Sequence, residues 1–71
     1  MAGQPRIIVS PPDASGGRRV RAGGEILGIA YRPADVVEFA RRAGLDEHLF
    51  AIDDDRLIEW RGGGPDEWTP P

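Results

Sequence analysis

The sequence predicts an α+β fold: a small three- to four-stranded antiparallel sheet with one helix packed across one face. Two observations carry that expectation. A single amphipathic helical pattern runs from Pro33 to Ala43, and β-like runs surround it at 6–10, 18–22, 25–31 and 56–60. Neither kind of element can hide its apolar side alone, so the helix has to cover the sheet. All of this fits in 71 residues, which makes one domain near the lower size limit for folding without a staple. Cysteine is absent, which removes disulfides and cysteine-based zinc sites as sources of stability.

Taken in order, residues 1–5 read as a flexible arm, 6–61 as the single α+β domain, and 62–71 as a Gly/Pro-rich tail, free or strapped by Trp68. The β-branched run Arg6 to Ser10 ends at Pro11-Pro12, which can neither donate to a ladder nor continue it. Arg18 to Ala22 alternates charged and apolar residues, as a strand with one wet face does. Gly23-Gly24 tolerates the positive φ of a tight hairpin turn. The return run, Glu25 to Tyr31, is apolar on both sides and is therefore placed near the middle of the sheet, with Gly28 marking a bulge or a close backbone approach.

The helix rests on independent cues. Pro33 suits the first helical position, Asp35 the first turn, and Arg41 and Arg42 the last turn, where the dipole favours cations. Val36, Phe39, Ala40 and Ala43 form one stripe, and Glu38 can pair with Arg41 or Arg42. Gly44 ends the helix, with Leu45 placed for the apolar contact that accompanies such ends. Residues 46–50 can form one more turn capped by Asp46 and anchored by Leu49, Phe50 and Ile52. Asp53-Asp54-Asp55 reads as a turn before the last strand. The expected core is Ile7, Val9, Val20, Leu27, Ile29, Val36, Phe39, Ala40, Leu45, Leu57 and Trp60.

The net charge of −3 argues against general attraction to nucleic acid or anionic membrane. All nine basic residues are arginine, a choice that GC-rich codon usage accounts for. The start of the chain lacks the apolar stretch of a secretory signal, and nothing approaches ~18 consecutive apolar residues, so a cytoplasmic protein is expected.

Catalytic constellations are weak. His48 is the lone histidine and reads as a surface residue, and none of Ser10, Ser15, Tyr31 and Thr69 sits in a nucleophile setting. The aspartate run lacks the register that wraps calcium. The glycine clusters lack the lysine and Ser/Thr of a phosphate loop, and none opens a helix. More substantial is the arginine strand: Arg19 and Arg21 share a face with Arg18 nearby, and a two-stranded ribbon carrying arginine fits a DNA groove.

The last strand, Leu57-Ile58-Glu59-Trp60, runs into Arg61-Gly62-Gly63-Gly64. With a hairpin and a covering helix before it, this ending resembles ubiquitin-like β-grasp proteins and the bacterial sulfur carriers related to them. The resemblance implies a glycine tail threaded through a narrow enzyme channel, which here requires a protease cut after Gly63 or Gly64 because Pro65 to Pro71 follow. The strand at 25–31 is surplus to that topology. The chain also resembles short proteins of GC-rich actinobacteria with a similar helix and W-R-G-G-G ending, a resemblance that implies no activity. A packing account competes: the glycines let the backbone reverse so that Trp60 and Trp68 reach one surface.

The functional expectation is a small non-catalytic protein–protein interaction module (an adaptor, inhibitor or regulatory subunit), with self-association through a sheet edge as its homodimeric form. The contact residues are Trp60, Arg61, Trp68, Arg19 and Arg21, because tryptophan and arginine dominate binding hot spots. No cofactor, metal, membrane or small-molecule substrate is expected. The alternatives are a β-grasp-like carrier processed after the Gly62–Gly64 tract and nucleic-acid binding through Arg18–Arg21.

Overall fold

A computed structural model of the chain describes residues 6–46, 48, 51–52 and 54–69. The arm at 1–5, Glu47, Leu49 and Phe50 of the extra turn, Asp53 of the aspartate run, and Pro70-Pro71 lie outside the described residues. The elements are β1 (Ile7–Val9), β2 (Arg18–Ala22), β3 (Glu25–Ala30), α1 (Pro33–Arg42) and β4 (Ile58–Trp60). They build the expected α+β architecture, one helix on one face of a four-stranded sheet of order β3-β2-β1-β4. β1, β2 and β3 form an antiparallel meander, and β4 returns parallel to β1, which makes the sheet mixed.

β3 lies at an edge of the sheet and not near its middle. Its two-sided apolar pattern has a different cause: Ile26 and Ile29 face the side of the sheet that the helix leaves uncovered, at 60% and 38% exposure. Ile29 therefore leaves the predicted core, and Ala30 takes its place on the inner side. The register shift between Val20 and Arg21 confirms a bulge beside Gly28. Gly28 also meets the helix closely, since a Cβ there would fall 2.6 Å from Phe39 Cζ.

α1 begins and ends as its sequence dictates. Arg32 at the N-cap offers no side-chain bond, but Asp35 reaches back to accept the Tyr31 N–H at 3.0 Å. At the other end Gly44 takes φ +104°, the Leu45 N–H donates to Ala40 O and the Gly44 N–H to Arg41 O, a Schellman closure. Leu45 is thereby folded under the helix and buried. Glu38 pairs with both Arg41 and Arg42 on the wet side.

The fully buried apolar cluster is Ile7, Val9, Val20, Ala30, Val36, Ala40, Leu45 and Ile58, with Leu27, Phe39, Leu57 and Trp60 partly buried against it. Ile58, paired with Ile7, is the fully buried residue of β4, and Leu57, in the turn where Asp54 O accepts the Leu57 and Ile58 N–H groups, is only partly buried. The strand begins at Ile58, and Ile58 and Trp60, two apart, face inward together opposite Ile7 and Val9.

Candidate functional site

Inward and outward residues alternate along each strand, so the two faces of the sheet can be read from the register. The inner face carries Ile7, Val9, Val20, Ala22, Ile58 and Trp60, and with them Arg18. Arg19 and Arg21 share the outer face as expected, whereas Arg18, expected nearby, is completely buried on the inner one. The parity with Val20 was a usable signal in the sequence, but charge argued the other way.

The burial of Arg18 is balanced by backbone carbonyls. Its Nε donates to Ser10 O at 2.8 Å, Nη1 to Gly64 O at 2.9 Å and Glu67 O at 2.7 Å, and Nη2 to Arg61 O at 2.9 Å and Gly63 O at 2.8 Å. All five guanidinium N–H donors are therefore used. Trp60 and Trp68 flank the same group at 5.1 and 5.4 Å and meet each other edge to face, with centroids 6.2 Å apart. Trp60 Nε1 donates to Ile52 O and Trp68 Nε1 to Pro65 O. Burial pushes the Arg18 pKa down, with the charge of Glu67 opposing that shift. The segment 61–68 is consequently a strap wound over the end of the sheet. The Gly63 and Gly64 carbonyls, beside the cut that a carrier would need, are bound within it.

The outer face is different in kind. Arg6 and Ile8 on the β1 side, Arg19 and Arg21 on β2, Ile26 and Ile29 on β3, and Glu59 with Arg61 on the β4 side lie on it. Among the described residues, no helix or strand packs over these side chains. Four arginines share this face with Glu59, and Asp13 lies beside Arg19, so the face is net positive in a chain whose net charge is −3. Glu59 is held by a hydrogen bond from Arg61 and by the charges of Arg61, Arg6 and Arg21, which keep its pKa below the usual carboxylate range; Arg6 Nη2 stands 3.4 Å from it. Arg19 and Arg21 have no hydrogen-bond or ion-pair partner among the described residues, and Nε of Arg21 is shielded from solvent and unpaired. A depression of about 190 Å³ opens beside Arg19, lined also by Ser10, Pro11, Asp13, Gly17 and Ile29.

The five contact residues expected from sequence thus fall into two groups. Arg19, Arg21 and Arg61 meet on the outer face, whereas Trp60 and Trp68 turn inward onto Arg18. Of the isoleucines between the arginines, Ile29 was assigned to the core, and Ile8 and Ile26 were not singled out. Carboxylates elsewhere serve turns and helix pairs: Asp13 takes bonds from Ser15 and Gly17, and Asp54 from Arg56. These bonds lower the pKa of both carboxyls. Comparison with protein-family models, curated proteins and solved structures gives no match to the chain.

Proposed function

We propose that this chain is a small non-catalytic protein-binding module that docks an acidic, partly aliphatic protein segment on the open face of its sheet. The observation that carries the reading is the outer face itself: Ile8, Ile26 and Ile29 interleaved with Arg19 and Arg21, neither of which makes a hydrogen bond or close ion pair among the described residues. An apolar surface with unpaired arginines has the composition of a binding hot spot. The Nη groups of Arg19 and Arg21 make no hydrogen bond among the described residues, and a carboxylate bound bidentately to either forms charge-assisted hydrogen bonds. Arg19 and Arg21 alternate along one strand, so their stems leave the backbone about 7 Å apart, the spacing of alternate acidic residues on an extended partner.

The test is a titration of the labelled protein with a short peptide alternating glutamate and valine, followed by amide chemical shifts. The expected result is a patch of shifts at Ile8, Arg19, Arg21, Ile26 and Ile29, weakened by salt and lost in Arg19→Glu/Arg21→Glu. The reading fails if millimolar peptide leaves these amides unmoved. It also fails if only a single-stranded oligonucleotide shifts them.

A further inference from the structure

The strap is attached to the domain in an unusual way. Arg61 still belongs to the sheet, its N–H donating to Val9 O. Beyond it, among the described residues, every hydrogen bond from the strap to the rest of the chain ends on the Arg18 guanidinium, through Gly63 O, Gly64 O and Glu67 O. The other strap bonds are internal, Glu67 N–H to Gly64 O and Trp68 Nε1–H to Pro65 O. Non-polar contacts add to these: Gly62 lies against Pro11 and the Trp68 carbonyl against Gly16, while the Trp68 ring meets Trp60 edge to face, packs against the apolar cluster and stacks on Arg18.

We propose that the strap is folded by an internal ligand: Trp60, Trp68 and five backbone carbonyls form a receptor for a guanidinium group, and its occupation by the Arg18 head holds residues 62–68 on the domain. The shape of the receptor supports this. Its acceptors are neutral carbonyls spread around one planar cation, one for each N–H, with aromatic rings supplying the rest of the enclosure. Gly62 at φ +75° and Gly63 at φ +120° set the path that brings the carbonyls of Arg61, Gly63 and Gly64 to a common centre, and a side chain at either would be strained. An ammonium, with three donors and no plane, cannot fill it. The strap therefore opens as a local unit when the cation is withdrawn.

The experiment uses the full chain with Arg18→Ala, read by hydrogen exchange of the Glu67 amide and by tryptophan emission. Losing a single hydrogen bond to a charged group amounts to about tenfold or more in an equilibrium. Protection at Glu67 is expected to fall by at least that factor, and the emission to shift red. Guanidinium chloride at low millimolar concentration, far below denaturing levels, restores both signals, while equal potassium chloride or urea does not. A strap that stays protected in Arg18→Ala overturns the proposal, as does equal restoration by urea or potassium chloride. If Arg18→Ala is unfolded, the same titration is followed by circular dichroism, where regained structure supports the receptor and none overturns it. Trp68→Ala, which removes one wall and keeps the cation, must also lower protection at Glu67; unchanged exchange counts against the receptor.

Discussion

Replacing Arg18 with lysine keeps the charge and removes the shape, so it isolates what the guanidinium contributes. Arginine satisfies five carbonyls, those of Ser10, Arg61, Gly63, Gly64 and Glu67, in a fully buried site. Lysine brings three donors, so at least two of these acceptors lose their partner. At about 1–3 kcal/mol for each buried group left unpaired, the loss is about 2–6 kcal/mol, before the lost stacking on Trp60 and Trp68 is added. A chain of this length has about 4–11 kcal/mol in total. Urea denaturation followed by circular dichroism is the assay. With an m-value near 1 kcal/mol/M, the midpoint should fall by about 2 M or more. Arg19→Lys, on the open face, is the control and should stay within about 0.5 kcal/mol of the parent. If Arg18→Lys also stays within that margin, the carbonyl ring does not hold the cation as described.

Gly28→Ala places a methyl 2.6 Å from Phe39 Cζ, and either the ring or the bulge must move; a loss of about 1–3 kcal/mol is expected, visible as a lower melting temperature. Gly44→Ala forces a Cβ onto a residue at φ +104° and opens the Schellman closure, which should cost about 1 kcal/mol in the same melt. Asp13, Glu38, Asp54 and Glu59 all have folded-state pKa values below their ordinary ones. Carboxyls lowered in this way stabilise the fold above their unfolded pKa, near 4, and the contribution disappears as pH falls through the folded values. Denaturant midpoints should therefore be level from pH 7 to about 5 and decline below about pH 4; a midpoint that rises on acidification contradicts these assignments.

The helix was legible because its signals are local: Pro33, Asp35, the apolar stripe and Gly44 each act within a turn or two, and the structure ends the helix where they say. The Gly23-Gly24 hairpin and the irregularity at Gly28 were legible for the same reason. Strand order was not, because a run apolar on both sides reads as a central strand until the uncovered face that holds Ile26 and Ile29 is known. Ile58 was legible from period two, since it lies two residues before Trp60, but the apolar Leu57 beside it drew the core assignment instead. Least legible was Arg18. Its acceptors at Arg61, Gly63, Gly64 and Glu67 lie more than forty positions away and are backbone atoms that no side-chain pattern announces. Only its parity with Val20 pointed inward.

Arg18 and Arg19 are neighbours in sequence on opposite faces of one strand, and chemical modification with an arginine-specific dicarbonyl, followed by peptide mapping, compares them within one molecule. Rapid modification of Arg19 and Arg21 with Arg18 left intact is the predicted outcome. Modification of Arg18 at the rate of Arg19 would contradict both the closed inner face and the open outer one.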